Sequence, residues 1–293
     1  MTASTDTTLQ GLQLRHPEWQ PWLAVLEEVL RETASEQWEK AVPSRAQPQA
    51  DRVPLVAGAN LALDRNDLGR WTKRLFRTAA RSGTPAMATL EAVAASAVDP
   101  FDLFKPALCQ DRDRLRETAR RLGADENALG AVAFLLPFPL LHALNRRWAS
   151  LRSRSWTEGY CPVCGAWPAF AEVRGIERSR YLRCSRCGAE WHAHCLFCPY
   201  CGVADHNELS SLVPQADGAS RIVEACERCL GYVKSFTTLQ ATPPAEVIVR
   251  DLASVDLDLA AVDRGYKRPE GMGYAFDVTI VGRSGGGLFS WNR

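Results

Sequence analysis

The sequence has little net charge and no long uninterrupted hydrophobic run. Its 35 Lys and Arg residues nearly balance its 34 Asp and Glu residues, so the overall charge does not favour binding to nucleic acid or to anionic lipid. The longest apolar stretch, residues 129–144, is interrupted by Pro137, Pro139 and His142. It is shorter than the roughly 20 residues that a membrane-spanning helix needs. We therefore expect a buried helix pair here and no transmembrane segment.

An export signal and the motifs of common enzyme classes are also missing. Residues 1–14 are polar and lack the apolar region of a secretory signal, so we expect a cytoplasmic protein. There is no GxSxG, no HExxH and no P-loop. We interpret the glycines at 285–287 as part of a loose tail, and we expect Asp256 and Asp258 to lie on a solvated helix face. We therefore predict that the chain is not an enzyme.

The first half of the chain has the pattern of a helical domain. Apolar residues recur at helical spacing in two stripes, at 22–30 and at 68–79. Thr84-Pro85 and Asp99-Pro100 are start signals for helices, and Asp125 is a third candidate N-cap. The sequence predicts six or seven helices and no strand in residues 1–155, with a proline-containing loop at 41–54. The hydrophobic content of 46% is that of an ordinary globular protein.

The second half of the chain contains most of the cysteines. Nine of the ten cysteines lie between positions 161 and 229, among short runs of β-type residues at 181–183 and 221–223. Eight of them form four CxxC pairs, and a glycine follows the second cysteine either directly or one residue later. The pairs are Cys161/Cys164, Cys184/Cys187, Cys198/Cys201 and Cys226/Cys229.

This spacing is typical of tetrathiolate metal sites. A CxxC turn directs two sulfurs to one side, and a tetrahedral ion needs two such turns. The simplest pairing joins the first pair with the second and the third with the fourth, which predicts two metal ions in two ribbons of the rubredoxin or zinc-ribbon type. Disulfides do not suit a reducing cytosol, and four pairs exceed what a thioredoxin-like redox protein requires. The CxxCxxC run at 195–201 leaves an iron–sulfur cluster as an alternative.

Four further residues have alternative interpretations. Cys195 is the ninth cysteine of the region, and we expect it to be a spare thiol, although it could replace Cys198 as a ligand. His192 and His194 flank it, and we expect them to be solvated or hydrogen-bonded because the cysteine count is complete without them. Cys109 is predicted to be a small buried residue of the helical half.

These patterns together predict an α+β protein. We divide it into a helical domain at 1–155, a first CxxC metal ribbon at 156–190, a second at 191–236, and a C-terminal helix and tail at 237–293. Trp191, Tyr200 and Tyr232 lie near the cysteine turns, where they either contact a partner or pack the ribbon core.

The chain, with a helical first half followed by the cysteine half, resembles the FdhE family of formate dehydrogenase accessory proteins. The resemblance covers most of the chain and depends on several segments. They are Cys161-Pro-Val-Cys164-Gly, Arg180-Tyr-Leu-Arg-Cys184-Ser-Arg-Cys187, Glu190-Trp191-His192, Cys198-Pro-Tyr-Cys201, 224–234, Asp251-Leu-Ala-Ser and Gly265-Tyr266. It implies a non-catalytic maturation factor that contacts the catalytic subunit of a respiratory, molybdenum-containing formate dehydrogenase before export. It also implies rubredoxin-like sites that hold iron, with zinc as the alternative. The departure from the family pattern is Cys195.

Two other functions are alternatives to an accessory protein. A nucleic-acid-binding zinc ribbon should be basic, but residues 156–236 hold eight Lys and Arg residues against nine Asp and Glu residues, which argues against it. A rubredoxin-like electron-transfer or thiol redox protein remains open, and a reversible iron couple in the isolated protein would favour it.

Overall fold

The first half of the molecule is helical, as predicted. In a computed structural model of the chain, the described residues are 3–43, 50–153, 155–214 and 220–283. Within these ranges the first half contains nine α-helices. They are α1 (Ala3–Arg15), α2 (Gln20–Thr33), α3 (Arg65–Ala80), α4 (Pro85–Ala88), α5 (Leu90–Ala95), α6 (Pro100–Cys109), α7 (Arg112–Leu122), α8 (Glu126–Leu135) and α9 (Phe138–Arg147).

The predicted start signals act as helix caps. The side chains of Thr84, Asp99 and Asp125 each accept a hydrogen bond from a backbone N–H in the first turn of α4, α6 and α8. Each cap satisfies a donor that the helix itself leaves unpaired. Gly123 adopts a left-handed conformation and ends α7. The local sequence therefore fixes where these helices begin or end.

Helices α8 and α9 are the predicted buried helix pair. Together they occupy Glu126–Arg147, which is long and apolar enough to cross a membrane by length and composition. However, 78% of its most apolar stretch is buried inside the protein, and the core helices of non-membrane proteins pass the same test. Residues 136 and 137 separate the two helices.

The prediction that residues 1–155 contain no strand is wrong. Strand β1 (Asn60–Asp64) pairs in parallel with β8 (Thr279–Arg283), and Asn60 lies opposite Thr279. The short run Asn-Leu-Ala-Leu-Asp gives little local signal, and its partner is more than 200 residues away in the chain. This pairing brings the C-terminal segment onto the helical half.

The cysteine half forms one six-stranded sheet. Its strands are β2 (Phe170–Arg174), β3 (Ser179–Arg183), β4 (Glu190–His192), β5 (Leu209–Leu212), β6 (Arg221–Cys226) and β7 (Tyr232–Thr238). The order is β4-β3-β2-β7-β6-β5. All neighbours are antiparallel except β2 and β7, which are parallel.

In this order, two three-stranded meanders of the same topology lie side by side in the sheet. β2-β3-β4 is the first meander and β5-β6-β7 is the second, and the first strand of one pairs with the third strand of the other. Because β2 and β7 run in the same direction, both meanders have the same orientation. In each meander one CxxC turn precedes the first strand and the other joins the second strand to the third. All four turns therefore lie at the same end of the sheet.

Two short helices cover part of one face of the sheet. They are α10 (Val247–Leu252) and α11 (Val255–Asp263), and Val247 and Leu257 pack against Phe170 and Phe236 of the sheet. The sequence predicts a single helix at 252–262, which corresponds to α11, whereas α10 is a separate helix. The glycine run at 285–287 and the proline at 48 lie outside the described residues.

Candidate metal centres

Three of the four CxxC turns share one backbone arrangement. The glycine that follows the second cysteine donates its N–H to the carbonyl of the first cysteine over 2.9–3.0 Å. These glycines are Gly165, Gly188 and Gly202, with φ of 67°, 72° and 76°. Glycine adopts this left-handed conformation without steric cost, so the sequence Cys-x-x-Cys-Gly specifies the turn.

The fourth turn differs at this position. Leu230 follows Cys229 and takes the left-handed conformation with φ of 55°. The glycine of this turn, Gly231, is required for another reason. A side-chain carbon at position 231 would lie 2.5 Å from the ring of Tyr200 and 3.1 Å from the Sγ of Cys229. Gly231 therefore lets the Tyr200 ring lie against the turn.

The four turns bring the cysteines into two quartets with the predicted pairing. We name the quartet Cys161, Cys164, Cys184 and Cys187 the inner site, and the quartet Cys198, Cys201, Cys226 and Cys229 the outer site. Within each quartet all four sulfurs lie within 4.8 Å of one another. In the inner site the Sγ atoms of Cys161 and Cys187, and those of Cys164 and Cys184, are 3.5 Å apart.

Both quartets have the dimensions of a tetrahedral tetrathiolate site. A metal–sulfur bond of about 2.3 Å in a regular tetrahedron separates neighbouring sulfurs by about 3.8 Å. The corresponding distance in the outer site is 3.7 Å, both for Cys198 to Cys229 and for Cys201 to Cys226. Two metal ions can therefore be held with four sulfurs each, and such an ion keeps no open coordination position.

The inner site lies inside the main hydrophobic core. All four of its cysteines are 0% exposed and belong to the same cluster of buried residues as Trp71 of α3 and Phe104 of α6. In the outer site Cys198 and Cys226 are buried, Cys229 is partly exposed and Cys201 is exposed. The two quartets have the same geometry and differ in their access to solvent.

Burial also affects the ionisation of these thiols. Loss of solvent raises the pKa of Cys161 and Cys187 well above the usual value, and it raises the pKa of Cys229 to about 11. A metal binds the thiolate form, so binding must release protons from these groups. Nearby, burial and then the charge of Arg146 lower the pKa of His142 to about 4, so this imidazole adds no positive charge at neutral pH.

Arg186 attaches the inner site to the helical half. It stands between Cys184 and Cys187, is 1% exposed, and donates to the carbonyl oxygens of Ala107 at 2.8 Å and Leu108 at 3.3 Å. Its guanidinium carbon also lies 5.0 Å from the centre of the Phe134 ring. These carbonyls form the C-terminal end of α6, where the helix dipole favours a cation.

A charged network that the sequence analysis missed supports the sheet behind the sites. Lys234 of β7 is 0% exposed, and its Nζ donates to Asp258 at 2.8 Å and forms an ion pair with Asp251 at 2.7 Å. The prediction that Asp258 lies on a solvated helix face is therefore wrong. A fully buried ammonium requires carboxylate partners, and the signal in the sequence is a lysine within the β-type run Tyr-Val-Lys-Ser-Phe.

A second network is centred on Glu172 of β2. This carboxylate is 0% exposed, accepts from Arg183 at 2.8 Å and Arg174 at 3.0 Å, and also accepts from the backbone N–H of Thr242. Burial opposes its ionisation, but the charge of Arg183 and the hydrogen bond from Thr242 outweigh that effect and lower its pKa to about 2. Glu172 therefore stays ionised at neutral pH.

The remaining candidates lie outside the two quartets. Cys195 is exposed, and its Sγ is 3.8 Å from the carbonyl oxygen of Arg178. His192 and His194 are exposed, with ring centres 6.3 Å apart. Cys109 is only half-buried, contrary to the prediction that it is buried; it is the last residue of α6, and its Sγ lies 3.9 Å from a carboxylate oxygen of Asp277. Burial and the Asp277 charge raise its pKa to about 11.

The aromatic residues near the cysteine turns mainly pack inside the molecule. Trp191 is 5% exposed and Tyr232 is 3% exposed. Tyr200 is half-buried, stacks edge to face on Trp167 at 5.3 Å, and donates through its hydroxyl to the carbonyl of Tyr232. The sequence left two alternatives for these three residues, contact with a partner or packing of the ribbon core, and the structure shows that they pack the core.

Comparison with known proteins gives matches to the cysteine half of the chain. A family model described as FdhE, central domain, matches residues 160–194, and one described as FdhE, C-terminal domain, matches residues 193–272. The FdhE homolog of Stutzerimonas stutzeri is 37% identical over 123 residues, which cover 41% of this chain and 39% of that relative. The FdhE protein of Escherichia coli is 33% identical over 111 residues, which cover 37% of this chain and 35% of that relative. The aligned segments thus span well under half of these relatives.

A structural likeness extends to the helical half. The crystal structure of the FdhE protein from Pseudomonas aeruginosa matches 92% of this chain and 93% of that chain, with a TM-score of 0.59 and 21% sequence identity. At this identity the likeness shows a common fold and no more. The helical half and the cysteine half therefore occur together in a solved structure with the same arrangement.

Proposed function

We propose that the chain, whose residues 160–272 match the FdhE central and C-terminal domains, is a non-catalytic accessory protein of formate dehydrogenase. In this proposal it binds the catalytic subunit of a respiratory, molybdenum-containing formate dehydrogenase in the cytoplasm, before export, and that subunit needs it to become active. The observation that carries the proposal is the pair of closed cysteine quartets on one sheet, in the segment that matches the family.

The geometry of the quartets supports a non-catalytic role. Four thiolates saturate a tetrahedral ion, so neither site offers a coordination position for a substrate or a reactive water. Ions in such sites stabilise a fold or carry electrons. We propose that the eight cysteines are the ligands of two metal ions. A tetrathiolate site accepts iron and zinc alike, and the family resemblance favours iron.

The fold supports binding of a protein partner. The two meanders form one continuous sheet, and Arg186, in the second CxxC turn of the first meander, attaches it to the helical half. A surface built this way is already ordered before binding, so association costs less conformational entropy than it would for a flexible chain. Loss of either metal should loosen this surface and weaken partner binding.

The test is a gene deletion with complementation. We expect the deletion strain to make the catalytic polypeptide but to lose formate-dependent dye reduction. The wild-type gene should restore it, Cys161→Ser and Cys226→Ser should not, and Cys195→Ser is the matched control that should restore it. An affinity pull-down from anaerobic cells should recover the catalytic subunit with the wild-type chain. Normal activity in a deletion strain without a second gene copy would refute the proposal.

One observation favours a second function. The exposed residue Cys201 places the outer site near the surface, where an electron carrier needs its metal. A reversible iron couple in the isolated protein, together with normal formate dehydrogenase activity in the deletion strain, would support a rubredoxin-like electron-transfer protein instead. Colourless, zinc-loaded protein from anaerobic cells would argue against iron in either role.

A further inference from the structure

The duplication of the cysteine turns provides an internal comparison between the two sites. Arg186 and Arg228 occupy the same position, directly before the second cysteine of the second turn in each meander. Arg186 is 1% exposed and reaches into the helical half, whereas Arg228 is exposed. An arginine at the equivalent position of two equivalent turns is therefore buried in one site and exposed in the other. The difference comes from the elements that pack against each site.

Three separate parts of the chain cover the inner site. Leu55 and Val56 donate their backbone N–H groups to the carbonyls of Pro162 and Val163 at 2.9 and 3.0 Å. The glycine of the second turn, Gly188, lies so close to Pro244 that a side-chain carbon would be 2.5 Å away. The third cover is the end of α6, which Arg186 contacts. To reach the inner site, a reagent must displace at least one of these covers.

The outer site has much less cover. Three of its cysteines, Cys198, Cys226 and Cys229, belong to a small separate cluster that includes Val203 and Leu209. In the turn at 198–201, Tyr200 contacts Trp167 and Pro199 closely approaches Gly159, and the fourth turn accepts a backbone hydrogen bond from Lys267 at the carbonyl of Leu230. Cys201 is exposed, and Cys229 is partly exposed beside Leu230, whose backbone is left-handed.

From this contrast we infer that the outer site is the one at which the chain takes up and gives up metal, whereas the inner site keeps its metal until the helical half separates from the sheet. Exchange of a thiolate-bound ion requires an incoming ligand to approach within bonding distance, about 2.3 Å for sulfur, while a protein thiolate moves away. The exposed Cys201 allows an incoming ligand to approach and its own thiolate to move away, whereas the buried inner cysteines allow neither movement. The inference rests on the proposed function, in which both quartets bind metal.

The experiment measures metal release from the full chain loaded with two equivalents of Zn²⁺. An excess of the chromophoric chelator 4-(2-pyridylazo)resorcinol is added at neutral pH without denaturant, and transferred zinc is read from its absorbance. We expect one equivalent to leave at least tenfold faster than the other. The second should leave rapidly only when urea unfolds the protein.

The site that empties first is identified without any mutation. After the fast phase the protein is treated with N-ethylmaleimide, and the modified cysteines are located by peptide mass spectrometry. We expect modification of the four outer cysteines and protection of the four inner ones. Cys195, which is exposed and outside both quartets, is the internal control for reagent access.

A matched pair of variants tests the reason for the difference. Arg186→Ala should accelerate release of the second equivalent, because it removes the contact with α6, and Arg228→Ala should leave both phases unchanged. Release of both equivalents in one phase, or early modification of the inner cysteines, would overturn the inference alone. A chain that binds fewer than two equivalents would instead overturn the two-site premise of the proposed function.

Discussion

The guanidinium of Arg186 lies 2.8 Å from the carbonyl oxygen of Ala107, and this contact joins a cysteine turn to the end of helix α6. The two residues are 79 positions apart in the chain. Because the turn carries two of the four inner cysteines, the geometry of the inner site and the docking of the helical half depend on each other.

The first prediction concerns this contact. Arg186→Leu should lower the free energy of unfolding by about 2–3 kcal/mol, since hydrogen bonds from a buried charged donor contribute more than neutral ones. Arg228→Leu is the matched control and should change it by less than about 0.5 kcal/mol. Urea denaturation of the metal-loaded proteins measures both values. Equal effects of the two substitutions would contradict the assigned role of Arg186.

The second prediction concerns metal content. Elemental analysis after anaerobic purification should give about two equivalents per chain, because two quartets of the required size are present. Cys161→Ser and Cys226→Ser should each lose about one equivalent. Structural thiolate sites contribute folding free energy, on the order of 10 kcal/mol for zinc, so each variant should also become sensitive to protease near the emptied site. A wild-type value near one equivalent is the contrary result.

The third prediction is that Cys195 is not a ligand. Its Sγ is not part of either quartet and contacts the carbonyl of Arg178, so Cys195→Ser should retain both equivalents and the same thermal stability within error. Cys198→Ser, three residues away, is the control and should lose one equivalent. If Cys195→Ser lost a metal and Cys198→Ser kept both, the ligand assignment of the outer site would have to change.

The fourth prediction concerns the buried carboxylate of Glu172. Glu172→Gln should destabilise the protein by about 3–5 kcal/mol, because it leaves Arg183 buried beside a neutral partner. The exposed Glu177 of the same hairpin offers the control, and Glu177→Gln should have little effect. Urea denaturation at neutral pH measures both. Equal stability of the two variants would show that the network around Glu172 is not stabilising.

The same carboxylate predicts a pH dependence. The pKa of Glu172 falls from 4.5 to about 2 on folding, so the unfolded chain binds more protons between these values. The stability from this group is therefore complete above pH 4.5 and is lost as the pH falls towards about 2. Glu172→Gln lacks this contribution, so its stability should fall less steeply across that window than that of the wild type. If the stability of both proteins fell equally steeply with pH, the acid sensitivity would come from other groups, such as the thiolates.

Several features of the helical half could be predicted because their signals are local. An N-cap needs only one polar side chain within three residues of the N–H that it accepts, so Thr84, Asp99 and Asp125 were identifiable from sequence. Strand β1 was not, because it is only five residues long and its pairing with β8 is a long-range contact. The pairing of the partly buried Asp258 was missed for a similar reason, since it depends on Lys234 in a different element.

The sequence by itself determined which cysteines form each quartet. A CxxC turn with its glycine is set by four or five consecutive residues, and the short separations between turns leave sequential pairing as the simplest closure of two tetrahedral sites. Only the tertiary structure decided which quartet is buried. Arg186 and Arg228 have the same local sequence position, but helix α6 packs against the first and solvent surrounds the second. Access to a metal site is set by contacts between distant parts of the chain, and no local pattern encodes those contacts.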